Sequence, residues 1–127
     1  MIIKELSFQR DSFSVETTKL QARHLAVALE GSADLRVQSD FDSLIRRVHE
    51  EARLRDATLV YVDMSKLEFL NSGCFKSLCT WVRLRNHEGQ YKIRILSNPK
   101  YYWQFRSLNA LQMLAPDVIT VKKLEPT

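Results

Sequence analysis

The sequence is poor in glycine and proline, with three of each among its 127 residues. Gly31, Gly73 and Gly89 stand far apart, whereas a dinucleotide fingerprint or a P-loop needs several glycines within a few residues so that the backbone can approach a phosphate closely. The Gly-x-Ser-x-Gly elbow of the α/β-hydrolases is absent as well. Since no Gly- or Pro-rich stretch suggests a linker, we expect one domain that spans residues 1–127.

Cysteine and histidine are too few and too scattered to indicate a metal or redox site. Cys74 and Cys79 lie five residues apart in one predicted helix and therefore point in different directions, which argues against a disulfide. The three histidines have no paired spacing. Without a cluster of acids, bases or metal ligands we expect no cofactor and no enzymatic activity. Free thiols favour a cytoplasmic location.

Long apolar runs and runs of one charge are also missing. No apolar stretch approaches the roughly 20 residues needed to cross a bilayer, and four charges among the first eleven residues are unlike a signal peptide. The 19 basic and 15 acidic residues are mixed along the chain and give a net charge of +4. This is a mildly basic surface without a nucleic-acid-binding stripe. We therefore expect neither nucleic acid nor membrane as a partner.

The hydrophobic pattern predicts strands first and then an alternation of helices and strands. Strands are predicted at 2–8, at 12–17 and at 25–29, the last ending in a turn at Glu30-Gly31. A helix is predicted from Ser39, with Asp42 as its capping-box partner, and it carries an apolar face of Phe41, Leu44, Ile45, Val48 and Ala52. A strand at 58–63, a helix at 72–86, a strand at 91–95, a helix that ends before Pro116 and a strand at 118–121 complete the chain.

This order predicts an α/β domain with a single mixed, mainly parallel β-sheet and helices packed on it, in which the N-terminal strands precede an αβαβαβ succession. The strand at 58–63 is apolar at four consecutive positions from Leu59, so we expect a central strand covered on both faces. The predicted inward residues are Phe75, Leu78, Cys79 and Val82 in the second helix, and Tyr101, Phe105 and Leu108 in the third.

The most informative stretch is residues 58–89, where a strand, a predicted loop and a helix meet at Ser72. The first N–H groups of a helix lack internal partners and carry partial positive charge, so Ser72 lies where an anion is readily held. The plainer alternative is that Ser72 is only the helix N-cap. We expect Asp63 to bind N–H groups of the loop, since no acidic pair for Mg²⁺ follows an earlier strand. Cys74 is interpreted as a buried small hydrophobe.

Residues 63–75, DMSKLEFLNSGCF, resemble the signature of the STAS domain, the fold of bacterial anti-sigma factor antagonists, which typically reads D-L-S-x-V-x-F-[IM]-D-S-[ST]-G-L. Residues 25–34, LAVALEGSAD, resemble the family's approach to its first helix, and the resemblance covers about residues 13–122. Asn71 departs from the family's aspartate, and Gly73-Cys74 replaces its S-G. Seven positions of the signature agree in identity or type: Asp63, Met64, Ser65, Leu67, Phe69, Leu70 and Ser72.

The resemblance implies a non-enzymatic phosphoprotein of signal transduction and transcription regulation that works by partner switching. Ser72 matches the family's phospho-acceptor. The unphosphorylated protein is expected to bind an anti-sigma factor or serine kinase, to be released when that kinase phosphorylates it, and to be reset by a PP2C-type phosphatase. The expected docking surface is the 65–71 loop with the following helix, and its residues are Ser65, Asn71, Ser72, Gly73, Lys76, Thr80 and Arg83.

Two further expectations accompany this interpretation. The protein is expected to be a monomer or a weak homodimer. The alternative that stays open is a STAS scaffold subunit without phosphorylation, or a sensor of a small ligand or nucleotide.

Overall fold

A computed structural model describes residues 1–125 of the chain. Six strands form one sheet in the order β1 to β6: Phe8–Arg10, Phe13–Lys19, His24–Ala33, Leu59–Leu70, Lys92–Ser97 and Ile119–Lys123. The pairs β1–β2 and β2–β3 are antiparallel, and the three later pairs are parallel. Helices α1 (Gln38–Leu54), α2 (Ser72–Glu88) and α3 (Tyr102–Leu114) connect the parallel neighbours. The predicted fold class and its αβαβαβ succession are confirmed. No helix within residues 1–125 has the length and apolar character to cross a membrane.

The three helices cover one face of the sheet, so the prediction that the central strand is covered on both faces was wrong. Strand residues at matching register, such as Leu25, Val60 and Ile93, are buried in a core shared with the helices. Within the apolar run at 59–62, Tyr61 lies on the opposite face of the sheet, where it packs against side chains of the neighbouring strands and not against a helix. The guanidinium of Arg94 lies 5.4 Å from the Tyr61 ring centre, and the His24 ring lies 5.7 Å away.

The N-terminal strands differ from the prediction in two places. Within residues 2–8, Lys4–Leu6 is a 3₁₀ turn, and Ile2 forms only an isolated bridge with Thr18. Strand β3 does not end at Glu30-Gly31 but continues to Ala33. Gly31 has a φ of +95°, and a Cβ there would overlap the carbonyl oxygen of Ser12. The pairing with β4 shifts register at this glycine, which is therefore a bulge inside a strand and not a turn.

Strand β4 is twelve residues long and includes most of the predicted 65–71 loop. Beyond Asp63 it continues to pair with β3 after a register shift, up to Leu70 opposite Ala33. Asp63 accepts hydrogen bonds from the backbone N–H of Ser65 at 2.9 Å and from the Ser65 hydroxyl at 2.6 Å. The structural role expected for Asp63 is confirmed, although the carboxylate serves an irregularity within the strand and not a loop after it.

Helix α1 has the predicted apolar face, but its start differs from the prediction. All five predicted inward residues, from Phe41 to Ala52, are buried. The helix begins at Gln38 without a side-chain cap, so the predicted Ser39–Asp42 capping box was wrong. Asp42 instead accepts hydrogen bonds from Arg46 at 2.9 Å and from the Ser77 hydroxyl at 2.8 Å. The carboxylate thus links α1 to α2.

In α2 and α3 some inward positions are occupied by polar residues that the sequence pattern did not place in the core. Leu78 and Val82 of α2 are buried as predicted, together with Cys74, Ser77 and Trp81, while Phe75 and Cys79 are half-buried. In α3 the buried residues are Gln104, Leu108 and Leu111, and Phe105 points outward, so its assignment to the core was wrong. The Gln104 amide donates to the carbonyls of Met64 and Leu67 and accepts the N–H of Asn98, which explains how a polar side chain fills an inward position.

A buried polar triad fastens α1, α2 and the start of β5 to one another. The hydroxyl of Tyr91 accepts a hydrogen bond from the indole N–H of Trp81 at 2.7 Å and lies 2.6 Å from Nδ1 of His49. Because an indole N–H only donates, the Tyr91 hydroxyl is free to donate its own proton to His49. Burial raises the pKa of Tyr91, so the hydroxyl keeps that proton.

We expect Tyr91→Phe to lower the free energy of unfolding by about 1–3 kcal/mol, because it leaves the Trp81 and His49 nitrogens buried without a partner. Urea unfolding followed by tryptophan fluorescence measures the change. Tyr102→Phe is the matched control, since the Tyr102 side chain is exposed on α3 and its loss of a hydroxyl is expected to cost less than about 0.5 kcal/mol. Equal effects of the two substitutions would contradict the assigned role of the triad.

Candidate functional site

Helix α2 begins directly where β4 ends, and Asn71 joins the two. The Oδ1 atom of Asn71 accepts the backbone N–H of Cys74 at 2.8 Å, and its Nδ2 donates to Oε1 of Gln38 at 2.9 Å. Asn71 is therefore the N-cap, and Ser72 is the first helical residue with an exposed side chain. The alternative in which Ser72 is only the N-cap was wrong, because the side chain of Asn71 caps the helix and the Ser72 hydroxyl does not.

The N-terminal end of α2 retains unpaired backbone donors beside this hydroxyl. Asn71 satisfies the N–H of Cys74 through its side chain and that of Phe75 through its carbonyl at 3.0 Å. Within the described part of the chain the N–H groups of Ser72 and Gly73 have no partner, as is usual for the first turn of a helix. These donors and the helix dipole favour negative charge at this end.

A shallow groove between α1 and α2 starts at this helix end. Thr80 and Arg83 are hydrogen-bonded to each other at 3.1 Å, and Lys76 and Arg83 are exposed. The groove is lined by Gln38, Asp42, Gly73, Lys76, Ser77, Cys79, Thr80 and Arg83. The structure thus brings together four of the seven residues expected on the docking surface, and Asn71 and Ser72 lie at the start of α2 beside them.

Ser65, the remaining expected docking residue, lies elsewhere. It is buried, its hydroxyl donates to Asp63, and its carbonyl accepts the side-chain N–H of Asn98 at 2.9 Å. Ser65 therefore supports β4 from inside the protein and does not reach the groove.

Two residues of α1, Gln38 and Asp42, belong to this site and were not among the expected site residues. The Gln38 amide lies against Gly73, where a Cβ would overlap it, and holds Asn71 by the hydrogen bond described above. The hydrogen bonds from Arg46 and Ser77 hold the pKa of Asp42 below its usual value. More than 30 residues separate these α1 residues from their α2 partners, so no local pattern indicates the contact.

Cys74 has no nucleophilic character in this position, although it lies in the first turn of α2. Its side chain is fully buried. Burial, with a smaller contribution from the carboxylates of Asp34 and Asp42, raises the pKa of the thiol to about 12. The interpretation of Cys74 as a buried hydrophobe is confirmed.

The chemistry available at this site is that of an accessible hydroxyl without its own catalyst. Among residues 1–125 no side chain is hydrogen-bonded to the Ser72 hydroxyl, and no three His, Cys, Asp or Glu side chains are grouped closely enough to hold a metal ion. A serine without an adjacent base is a weak nucleophile. Ser72 is thus an accessible hydroxyl that no side chain of residues 1–125 is placed to activate.

Solved structures resemble this architecture, although no family model and no curated protein matches the sequence. An anti-sigma factor antagonist from Mycobacterium paratuberculosis superimposes with a TM-score of 0.65 at 18% identity, over 85% of this chain and 86% of that one. The phosphorylated form of the Bacillus cell fate determinant SpoIIAA gives a TM-score of 0.59 at 12% identity, over 85% and 90%. The protein has the STAS fold.

A third similar structure is the complex of the diguanylate cyclase SiaD with its activator SiaC from Pseudomonas aeruginosa, of which one chain superimposes with a TM-score of 0.65 at 9% identity over 93% of this chain and 98% of that one. At such identities the likeness establishes the fold alone. It extends over most of this chain, in agreement with the coverage expected from the sequence resemblance.

The contact between Gln38 and Gly73 yields a test of how this STAS fold positions Ser72. We expect Gly73→Ala to displace the Gln38 amide and break its hydrogen bond to Asn71, at a cost of about 1 kcal/mol. In a Gln38→Ala background the same substitution meets no amide and gains the helix preference of alanine over glycine, about 0.5–1 kcal/mol. A double-mutant cycle in urea is expected to give a coupling of about 1–2 kcal/mol. Additive effects would contradict the contact.

Proposed function

We propose that this protein is a non-enzymatic regulator that binds a protein partner through the start of α2 and the α1–α2 groove, and that phosphorylation of Ser72 releases the partner. The observation that carries the proposal is the exposed hydroxyl of Ser72 at the open end of a helix whose cap is supplied by another residue, Asn71. Modification of that hydroxyl removes no hydrogen bond on which the described structure depends.

The electrostatics of the helix end support a reversible phosphate. A phosphoserine adds about −1.5 to −2 charges. The unpaired N–H groups of Ser72 and Gly73 favour such a charge, and Lys76 follows one turn later on the same helix. The nearby carboxylates of Asp34 and Asp42 are held by Arg36 and Arg46, which reduces their repulsion. The free protein is therefore expected to accept the modification without unfolding.

The same charge is unfavourable when a partner is bound over Ser72. An interface that covers Ser72 has to desolvate the phosphate or place it against the partner's own groups, at a cost of several kcal/mol. A loss of about 4 kcal/mol corresponds to roughly a thousandfold in affinity. The switch thus acts by local repulsion and desolvation and needs no change of fold.

The proposed partner is an anti-sigma factor or serine kinase, with a PP2C-type phosphatase that resets the cycle, in the cytoplasm. The sequence resemblance favours this class. The comparisons support a regulatory protein with a protein partner: one similar structure is called an anti-sigma factor antagonist, SpoIIAA is described in phosphorylated and unphosphorylated forms, and SiaC is described as the activator of SiaD.

Tryptic mass spectrometry tests the modification directly. Cleavage after Lys66 and Lys76 gives the peptide LEFLNSGCFK, in which Ser72 is the only hydroxyl residue. We expect this peptide from protein purified out of its native host to carry a phosphoryl group of about 80 Da in some growth states, and to lack it in Ser72→Ala. If the added mass is absent in every growth state, the alternative of an unphosphorylated scaffold or ligand sensor is favoured.

A binding comparison tests the consequence of that charge. Wild type, Ser72→Ala, Ser72→Asn and Ser72→Asp are used in parallel to retain a partner from native-host lysate. We expect the first three to retain the same protein and Ser72→Asp to lose it, because only aspartate adds charge at the helix end. Ser72→Asn is the control for side-chain size. A Ser72→Asp variant that binds as tightly as wild type would contradict the switch.

A further inference from the structure

The outward face of α3 exposes three large apolar side chains, whereas the outward faces of α1 and α2 are mainly charged. Tyr102, Phe105 and Met113 expose 78, 59 and 80% of their surfaces. They lie on the side of α3 that faces away from its buried residues, Leu108 and Leu111. Large apolar side chains grouped on an exposed face indicate a surface that another molecule covers. Nothing in residues 1–125 covers the outer side of α3.

The net positive charge of the protein comes from the part of the chain that contains this helix. Thirteen basic and thirteen acidic residues precede Gly89, but six basic and only two acidic residues follow it, so the later part of the chain carries the whole net charge of +4. Every ion pair in residues 1–125 joins side chains between Arg10 and Glu88. The basic residues of β5, α3 and β6 therefore lack an acidic partner within the described chain.

Exposed apolar and basic side chains lie near one another on α3 and β6. The ammonium of Lys123 lies 6.0 Å from the ring centre of Phe105, which connects the edge strand β6 to the helix. Arg106 is exposed on α3 between Tyr102 and Met113. We call these five residues, Tyr102, Phe105, Arg106, Met113 and Lys123, the α3 surface. Exposed large apolar residues accompanied by charged side chains are typical of a protein interface.

We propose that the α3 surface is a second docking site, separate from the Ser72 groove, and that it binds an acidic segment of another protein whose apolar side chains pack on Tyr102, Phe105 and Met113. Carboxylates of that segment would pair with Arg106 and Lys123, which form no ion pair within residues 1–125. The site uses α3 and the edge strand, whereas the Ser72 groove lies between α1 and α2.

The charges of the α3 surface also argue against two other occupants, a second copy of this chain and a lipid surface. In a symmetric pair of two copies Arg106 and Lys123 would approach the same two cations of the second copy. Helices that bind lipid surfaces carry several lysines or arginines on their polar face. Helix α3 has Arg106 as its single charged residue, and its remaining side is fixed in the core.

Site-directed cross-linking in the native host tests the proposal. The full-length protein carries the photo-reactive p-benzoylphenylalanine in place of Met113, and the linked peptide is sequenced by mass spectrometry. We expect a peptide from another protein that has net negative charge and contains apolar residues. The same group in place of Ser43, exposed on α1, is the control and is expected not to link this peptide. A link to a second copy of this chain, a lipid adduct, or no product at Met113 would overturn the proposal.

Charge reversal completes the test. The double substitution Arg106→Glu/Lys123→Glu is expected to lower the yield of the cross-link at least about tenfold. Lys19→Glu/Arg47→Glu, which changes net charge equally at exposed positions outside the α3 surface, is expected to leave it unchanged; circular dichroism verifies that both variants fold. Ser72→Asp is expected to preserve the cross-link, because the two sites are separate. The proposal would be overturned if the yield of the cross-link stayed unchanged in Arg106→Glu/Lys123→Glu, or if it fell in Ser72→Asp. The phosphopeptide measurement at Ser72 does not depend on this outcome.

Discussion

The candidate site depends on one side chain, Asn71, which holds three elements together at a single point. Its Oδ1 atom caps α2, its Nδ2 atom binds Gln38 at the start of α1, and its backbone N–H bonds to Ala33 in β3 at 2.9 Å. An asparagine can do this because its amide both accepts and donates, whereas an ionised aspartate only accepts. The STAS signature that residues 63–75 resemble has an aspartate at this position, and an ionised aspartate could not donate the bond that Asn71 makes to Gln38.

The layer of helices is positioned by a few buried polar groups within an apolar core. Tyr91 joins α1 to α2 through His49 and Trp81, and Gln104 fastens α3 to backbone carbonyls of β4. Apolar contacts are non-directional and tolerate sliding, whereas each of these bonds has a fixed partner and a narrow range of geometry. These bonds fix α2, which carries the exposed Ser72 at its first position, so that charge added to Ser72 lies outside the core.

The distribution of charge divides the protein into two parts with different expected partners. The first 89 residues are neutral overall and contain the ion pairs of the described chain, several of which lie along α1. In the later part, Arg106 and Lys123 lie beside the exposed apolar residues of α3 and form no ion pair within residues 1–125. A regulator with both proposed surfaces would respond to Ser72 at one of them and keep a second contact at the other, which allows one partner to be released while another stays bound.

The sequence by itself determined the order of the elements, the inward face of α1 and the start of α2 at Ser72, because period and turn chemistry are local properties. Only the tertiary structure decided the rest. Strand β4 continues through 65–70 since β3 supplies hydrogen-bond partners there, Gly31 is a bulge because Ser12 lies against it, and Gln38 reaches Asn71 across 33 positions. Phe105 was misassigned for the same reason: periodicity marks an apolar face but not which of two apolar faces a sheet covers, and that depends on Gln104 finding carbonyl partners in β4.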